Sequence, residues 1–255
     1  MNYIFRLLIF ASLFSSCTDE PSLTFSSEEF TESQLEICKN EPCSQVTILY
    51  PKALGHPEVS AKVNSVIEQE IIQALFLGDD ASPSAKSIPD AATDFIMAYR
   101  DHQPDIPSDI DIGGYIAEIV LQNTFENSTM VSVESIKYLH TGGAHGYDTH
   151  SFLNFDLQTG ELLSIQDLFQ DLDQFKKVAE MAFKKEMEIP TKGNINETGY
   201  WFENGRFNLP ETIGFVDDKI LLHYNSYEIL AHRSKTIEIE IPIAELTSAL
   251  DNQYQ

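Results

Sequence analysis

The chain has 255 residues, 42% of them apolar, and a formal net charge of −24 from 40 acidic and 16 basic residues. That length can bury a substantial core, as one large domain or two small intertwined ones. The acidic excess repels nucleic acid and anionic headgroups, which excludes them as expected partners and leaves a basic protein or a cation as the electrostatic match.

The chain opens with Arg6, an apolar run from Leu7 to Phe14, and then Ser15-Ser16-Cys17. A basic start, a short apolar stretch and small residues mark a secretory signal. The cysteine that follows predicts a bacterial lipoprotein, with residues 1–16 removed and Cys17 as the lipidated first mature residue. The run is too short to cross a bilayer, which takes about 20 apolar residues. The expected location is therefore the bacterial cell envelope, on the periplasmic face or the outer surface, with the membrane engaged through the lipid only. Thr18 to Glu36 is rich in Ser, Thr, Asp and Glu, and 17–43 reads as a lipidated N-terminus and flexible tether. Of the three cysteines, Cys38 and Cys43 then remain as a pair around Lys39-Asn40-Glu41-Pro42. Outside the cytoplasm a small disulfide loop is expected there, two free thiols being the alternative.

Residues 44–250 form the main region, helical to about residue 105 and strand-rich from about residue 112. Val46 to Tyr50 reads as a strand ended by Pro51. Glu58 to Leu77 reads as a helix, because Val59, Val63, Ile67, Ile71 and Leu75 make one apolar face. Ile88 to Arg100 follows as a second helix, with Ser87 and Asp90 at capping spacing and Pro89 in the first turn. Pro104 to Gly114 looks like a loop. Strands are then expected from Tyr115 to Gln122, from Met130 to Tyr138 and from Ser151 to Leu157, with a third helix over Asp171 to Met187. The end returns to strands at Ile213 to Val216, Ile220 to Tyr224 and Thr236 to Ile241, before a last short helix over Ile243 to Leu250. This order predicts an α+β fold, a largely antiparallel sheet packed with about three main helices.

The densest run of chemistry-bearing residues is Tyr138-Leu-His140-Thr-Gly142-Gly143-Ala-His145-Gly146-Tyr-Asp148, with His150 two residues on. Three glycines imply unusual backbone angles or the close approach of another segment. A tight bend with His145 hydrogen-bonded inside it is the expected arrangement. A metal site from His140, His145, Asp148 and His150 is the sharper alternative. The spacing disfavours it, because histidines five apart share neither a helix face nor a strand face. No phosphate loop, Gly-x-Ser-x-Gly elbow or His-Glu-x-x-His pair occurs, so no catalytic residue, metal or cofactor is assigned. Trp201, between Tyr200 and Phe202, is either an exposed binding aromatic or an anchor of the core.

The run Tyr138-x-His-Thr-Gly-Gly-Ala-His-Gly resembles the extracytoplasmic domain shared by RsiV-type anti-sigma factors and PdaC-type proteins. The segments Asn154-Phe-Asp-Leu-x-Thr-Gly-Glu-Leu, Asp167-Leu-Phe, Phe207-Asn-Leu, Tyr227-Glu-Ile and Ile239-Glu-Ile-Pro agree, as do Tyr50-Pro51 and the helix holding Asn64. The resemblance implies an α+β envelope module. In the RsiV branch this domain binds lysozyme and relays that signal to a sigma factor; in the PdaC branch it sits beside a peptidoglycan deacetylase domain. For this chain the expectation is the module alone, without a spanning helix or deacetylase domain. The implied function is non-enzymatic binding of an envelope component, lysozyme or peptidoglycan, with Tyr138, Gly142, Gly143, His145, Gly146 and Tyr227 as binding residues. A glycan-modifying enzyme and a purely structural surface lipoprotein are the alternatives. Leu230-Ala-His-Arg-Ser departs from the Pro- and Gly-containing stretch that relatives often carry after Tyr227-Glu-Ile.

Overall fold

The computed structural model describes residues 23–41, 43–79, 82–103, 114–196, 199–230 and 235–254. The signal, the Cys17 lipidation site and most of the expected Pro104 to Gly114 loop lie outside these residues. Among the described residues the fold is α+β, with two sheets and three helices longer than one turn.

A five-stranded sheet runs in the order β1-β2-β3-β4-β5, with β1 Thr24–Thr31, β2 Gln45–Leu54, β3 Ile116–Glu126, β4 Met130–His140 and β5 Tyr147–Asp156. All neighbours are antiparallel except β2 and β3. A parallel pair needs a long crossover, and α1 (Pro57–Leu75) and α2 (Ile88–His102) supply it. The expected apolar face of α1 is buried from Val59 to Leu75, joined by Ile72. It packs with Phe95 and Ile96 of α2 against Val46, Ile48, Ala117, Ile119, Leu121, Val133 and Leu153 of the sheet. Each of the larger side chains among these contributes about 1.5–3 kcal/mol by leaving water. The cap of α2 forms as its sequence predicts, with Ser87 accepting from the Asp90 N–H. Asn64 pins α1 to β2 by exchanging two hydrogen bonds with the Ala53 backbone, at 2.8 and 2.9 Å.

A second layer holds β6 Ile213–Val216, β7 Lys219–Tyr224 and β8 Ile237–Pro242, all antiparallel. After the single turn α3 (Ile165–Leu168), α4 (Leu172–Glu186) covers this layer with Phe175, Ala179 and Phe183. The alternation of Ile237, Ile239 and Ile241 with glutamates turns the isoleucines inward and the acids out.

Several sequence expectations are corrected. The tether expectation fails over its described part, because Thr24–Thr31 is β1, paired along its whole length with β2. Its polar composition reflects an edge strand with one wet face. Pro51 does not end β2, which continues to Leu54. β3 pairs only with Gln45–Leu49, so Pro51 lies where β2 has a single partner and an absent N–H is tolerated. β5 begins at Tyr147, not Ser151. The closing helix is only a 3₁₀ turn at Ile243–Glu245. The helical and strand-rich halves are interleaved, since β2 from the first sits inside the sheet of the second. Cys38 and Cys43 are joined, with Cα atoms 5.4 Å apart.

Candidate functional site

The two sheets meet along a polar seam. Side chains of a strand alternate between faces, so Val131, Val133 and Leu153 face α1 while Ser132, Glu134, His150, Phe152 and Asn154 face the second layer. There Ser132 Oγ accepts from the Phe215 N–H at 3.0 Å, Thr124 Oγ1 donates to the Phe215 carbonyl at 2.7 Å and Asn154 Nδ2 donates to the Ile213 carbonyl at 2.9 Å. Gly214 lies flat on the Phe152 ring, where an added Cβ would come within 2.0 Å of it. The outer edge of β5 is closed by side chains. Asn225 Oδ1 accepts from the His150 N–H and its Nδ2 donates to the His150 carbonyl, at 2.7 and 2.9 Å, as a neighbouring strand would. Thr212 Oγ1 accepts from the Phe152 N–H at 3.0 Å.

At the open end of this seam four titratable side chains converge from four strands. His150 Nδ1 lies 2.8 Å from His223 Nδ1, and His150 Nε2 lies 2.8 Å from Glu134 Oε1. His223 Nδ1 is also 3.1 Å from Glu238 Oε1. The carboxylates accept only, which assigns the ring protons. His150 donates from Nε2 to Glu134. His223 Nδ1–H donates toward Glu238 and toward His150 Nδ1, which accepts. Gln122 Nε2 donates to the other Glu134 oxygen at 2.7 Å. The bonds from His150 and Gln122 hold the Glu134 carboxyl below its ordinary range, against its burial. Burial, and then the neighbouring His150, push His223 below the usual histidine value. His223 Nε2 is buried and has no hydrogen-bond partner.

On the opposite face of the same edge, Glu70 of α1 accepts from Ser151 Oγ at 3.1 Å and pairs with Lys137. A cavity of about 330 Å³ runs along the middle of β5 and is lined by His150 and His223, by Glu70, Lys137 and Ser151, and by Thr212 and Asn225.

The histidine-rich run does not bring its four chemistry-bearing residues together. It forms the β4–β5 hairpin. His145 is exposed at the tip and not held inside the bend, and Asp148 is exposed on β5. His140 pairs with Ile116 and its Nδ1 is buried without a partner. Only His150 of the four reaches the seam. Among the described residues, the group of three ligating side chains with donor atoms within 4.8 Å of one another is His150, His223 and Glu238. His140, His145 and Asp148 are outside it. The glycines shape the hairpin: Gly142 has φ +87°, and a Cβ on Gly146 would come within 2.5 Å of the Tyr138 ring. Gly143, exposed, completes the loop.

The remaining motif segments also have structural work. Asp156 accepts from the Gln158 and Thr159 backbone N–H groups and from Gln253, closing the turn after β5. Asp167 completes a capping box with Ser164. Tyr227 stands exposed in the turn after β7, with φ +68°. Trp201 is 70% exposed, and its N–H donates to the Ile229 carbonyl, two residues beyond Tyr227. Sequence reading missed His223, Glu134 and Glu238. The one trace was His223 itself, a titratable residue inside the apolar strand Lys219–Tyr224.

Among the described residues no helix is long and apolar enough to cross a membrane. Residues 37–148 match the family model described as deacetylase PdaC, and residues 166–244 match that described as a protein of unknown function, DUF3298. The peptidoglycan-N-acetylmuramic acid deacetylase PdaC of Bacillus subtilis is 27% identical over 128 residues, which are 49% of this chain and 27% of that protein. The chain thus spans about a quarter of that curated relative. Two solved structures share the fold. A DUF3298 family protein from Pseudomonas aeruginosa has a TM-score of 0.59 at 20% identity, covering 92% of this chain and 97% of its own. A DUF3298 member from Bacteroides fragilis has a TM-score of 0.65 at 19% identity, covering 92% and 96%. The first part of the chain is therefore similar to PdaC-type proteins, and the later part to DUF3298 proteins.

Proposed function

We propose that this chain is a non-catalytic module of the bacterial cell envelope, anchored through a lipid on Cys17, that binds a basic lysozyme-like protein. The observation that carries the reading is the pair of exposed aromatics, Trp201 and Tyr227, held on adjoining segments of a strongly acidic chain. Tryptophan and tyrosine are favoured anchors of protein interfaces. An acidic field speeds encounter with a basic partner and penalises acidic ones. The Cys38–Cys43 bond suits an oxidising compartment.

Titration of the full chain with lysozyme at low and moderate salt tests this. Binding is expected at low salt and should weaken as salt rises. Trp201→Ala with Tyr227→Ala should weaken it at least about tenfold, as loss of two anchor residues does, without unfolding the chain, since both rings are exposed. Absence of binding at low salt removes the lysozyme reading. The second reading is then peptidoglycan itself, favoured by the action of the Bacillus subtilis relative on peptidoglycan. Sedimentation with purified sacculi tests that, with the same variants as controls.

A further inference from the structure

We propose that His150, His223 and Glu238 bind a divalent transition-metal cation of the zinc class, which clamps the two sheets together at the open end of their seam. The site uses neither Trp201 nor Tyr227 and does not depend on the binding reading above.

Three features carry it. First, the donor set is right. Two imidazole nitrogens and one carboxylate oxygen, all within 4.8 Å of one another, are the ligand types zinc takes, whereas magnesium and calcium prefer oxygen alone. Second, the spacing is nearly right. Ligands at about 2.0–2.1 Å in tetrahedral array stand roughly 3.3 Å apart. The two Nδ1 atoms are 2.8 Å apart, and His223 Nδ1 is 3.1 Å from Glu238. A proton on His223 now fills the space between the rings, and rotation of the exposed Glu238 side chain toward His150, its donor atom already within 4.8 Å, would admit a cation in its place. Third, the supporting shell is built. His150 gives its other ring proton to Glu134, whose second oxygen is held by Gln122. A ligating histidine backed by a fixed carboxylate is the usual outer shell of a metal centre. His223 Nε2 has no partner, so Nδ1 alone orients that buried ring. Glu238 is more than half exposed, leaving an entry path and room for water as a further ligand.

The ligands come from both layers: His150 from β5, His223 and Glu238 from β7 and β8. Binding should therefore stabilise the junction between the sheets, not one layer alone.

The test titrates the full chain, stripped of metal with a chelator, with Zn²⁺ alone by calorimetry in excess Mg²⁺. The magnesium occupies ordinary surface carboxylates. One equivalent should bind, and the same addition should raise the melting temperature. His223→Gln touches a buried side chain and can unfold the layer, so Glu238→Gln and His150→Gln are the decisive variants. Each should weaken Zn²⁺ binding at least about tenfold while retaining the fold by circular dichroism. Glu134→Gln, acting through His150, should weaken it about 10- to 100-fold. Substitution by Co²⁺ should give the visible absorption of a tetrahedral site in the wild type and not in His150→Gln. No saturable binding, or binding unchanged in both Glu238→Gln and His150→Gln, overturns the proposal.

Discussion

On the face of the five-stranded sheet that meets α1 and α2, the contacts are almost wholly apolar: Val63, Ile67, Ile71 and Phe95 against Ile48, Ile119 and Val133. On the other face, Thr124, Ser132, His150 and Asn154 meet the second layer largely through hydrogen bonds. The first kind of contact is non-directional and scales with area. The second fixes one register, because each buried polar atom must find its partner or lose solvation. One sheet therefore carries its stability on one side and its positional precision on the other, and the candidate site lies on the precise side.

Phe95→Ala should be the most damaging single change, at about 3–5 kcal/mol from lost burial and the cavity left behind, read from the urea midpoint. A seam substitution that costs more would invert the ranking. Gly214→Ala should cost about 1–3 kcal/mol by overpacking against the Phe152 ring, and a smaller residue at Phe152 should recover part of it. Equal effects in both backgrounds would show that the ring is not the obstacle. Ser132→Ala should cost about 1–3 kcal/mol, because the buried Phe215 N–H loses its acceptor. Combined with Ile67→Val on the opposite face, it should be additive within about 0.5 kcal/mol; strong coupling would mean that the two faces do not act separately.

The smallest expected effect is alkaline. Tyr254 is buried beside Asp156 and its hydroxyl is pushed up to about 12, by burial first and the carboxylate second. An unfolded tyrosine ionises near about 10, so the unfolded chain loses this proton first. The contribution is complete below about pH 10 and is lost as pH rises toward the folded value. Tyr254→Phe should flatten the stability profile over that window alone; an unchanged slope would assign the window to other tyrosines.

The local elements were legible for local reasons. The four-residue repeat of α1 and the alternation of Ile237, Ile239 and Ile241 are written in consecutive residues, and both faces are buried. Ser87 caps α2 through a residue three positions away. The polar N-terminal strand was misread because edge position, not composition, makes it a strand: eight residues pair with β2. The glycine-rich run was legible as a bend, because strain and crowding at Gly142 and Gly146 are local matters. Its apparent chemistry was not, since four residues close in sequence were spread over a hairpin, with His145 and Asp148 in solvent.

By itself the sequence determined the class of fold, the core face of α1, the ranges of most strands, and the likeness to PdaC-type proteins. These follow from periodicity and short-range spacing. The tertiary structure alone decided which ionisable groups meet. His150 and His223 are 73 residues apart, and Glu238 and Glu134 come from two further strands. Their contact depends on how β7 and β8 lie across β4 and β5, a placement set by Ser132, Asn154 and Gly214 and by no pattern that a single segment carries.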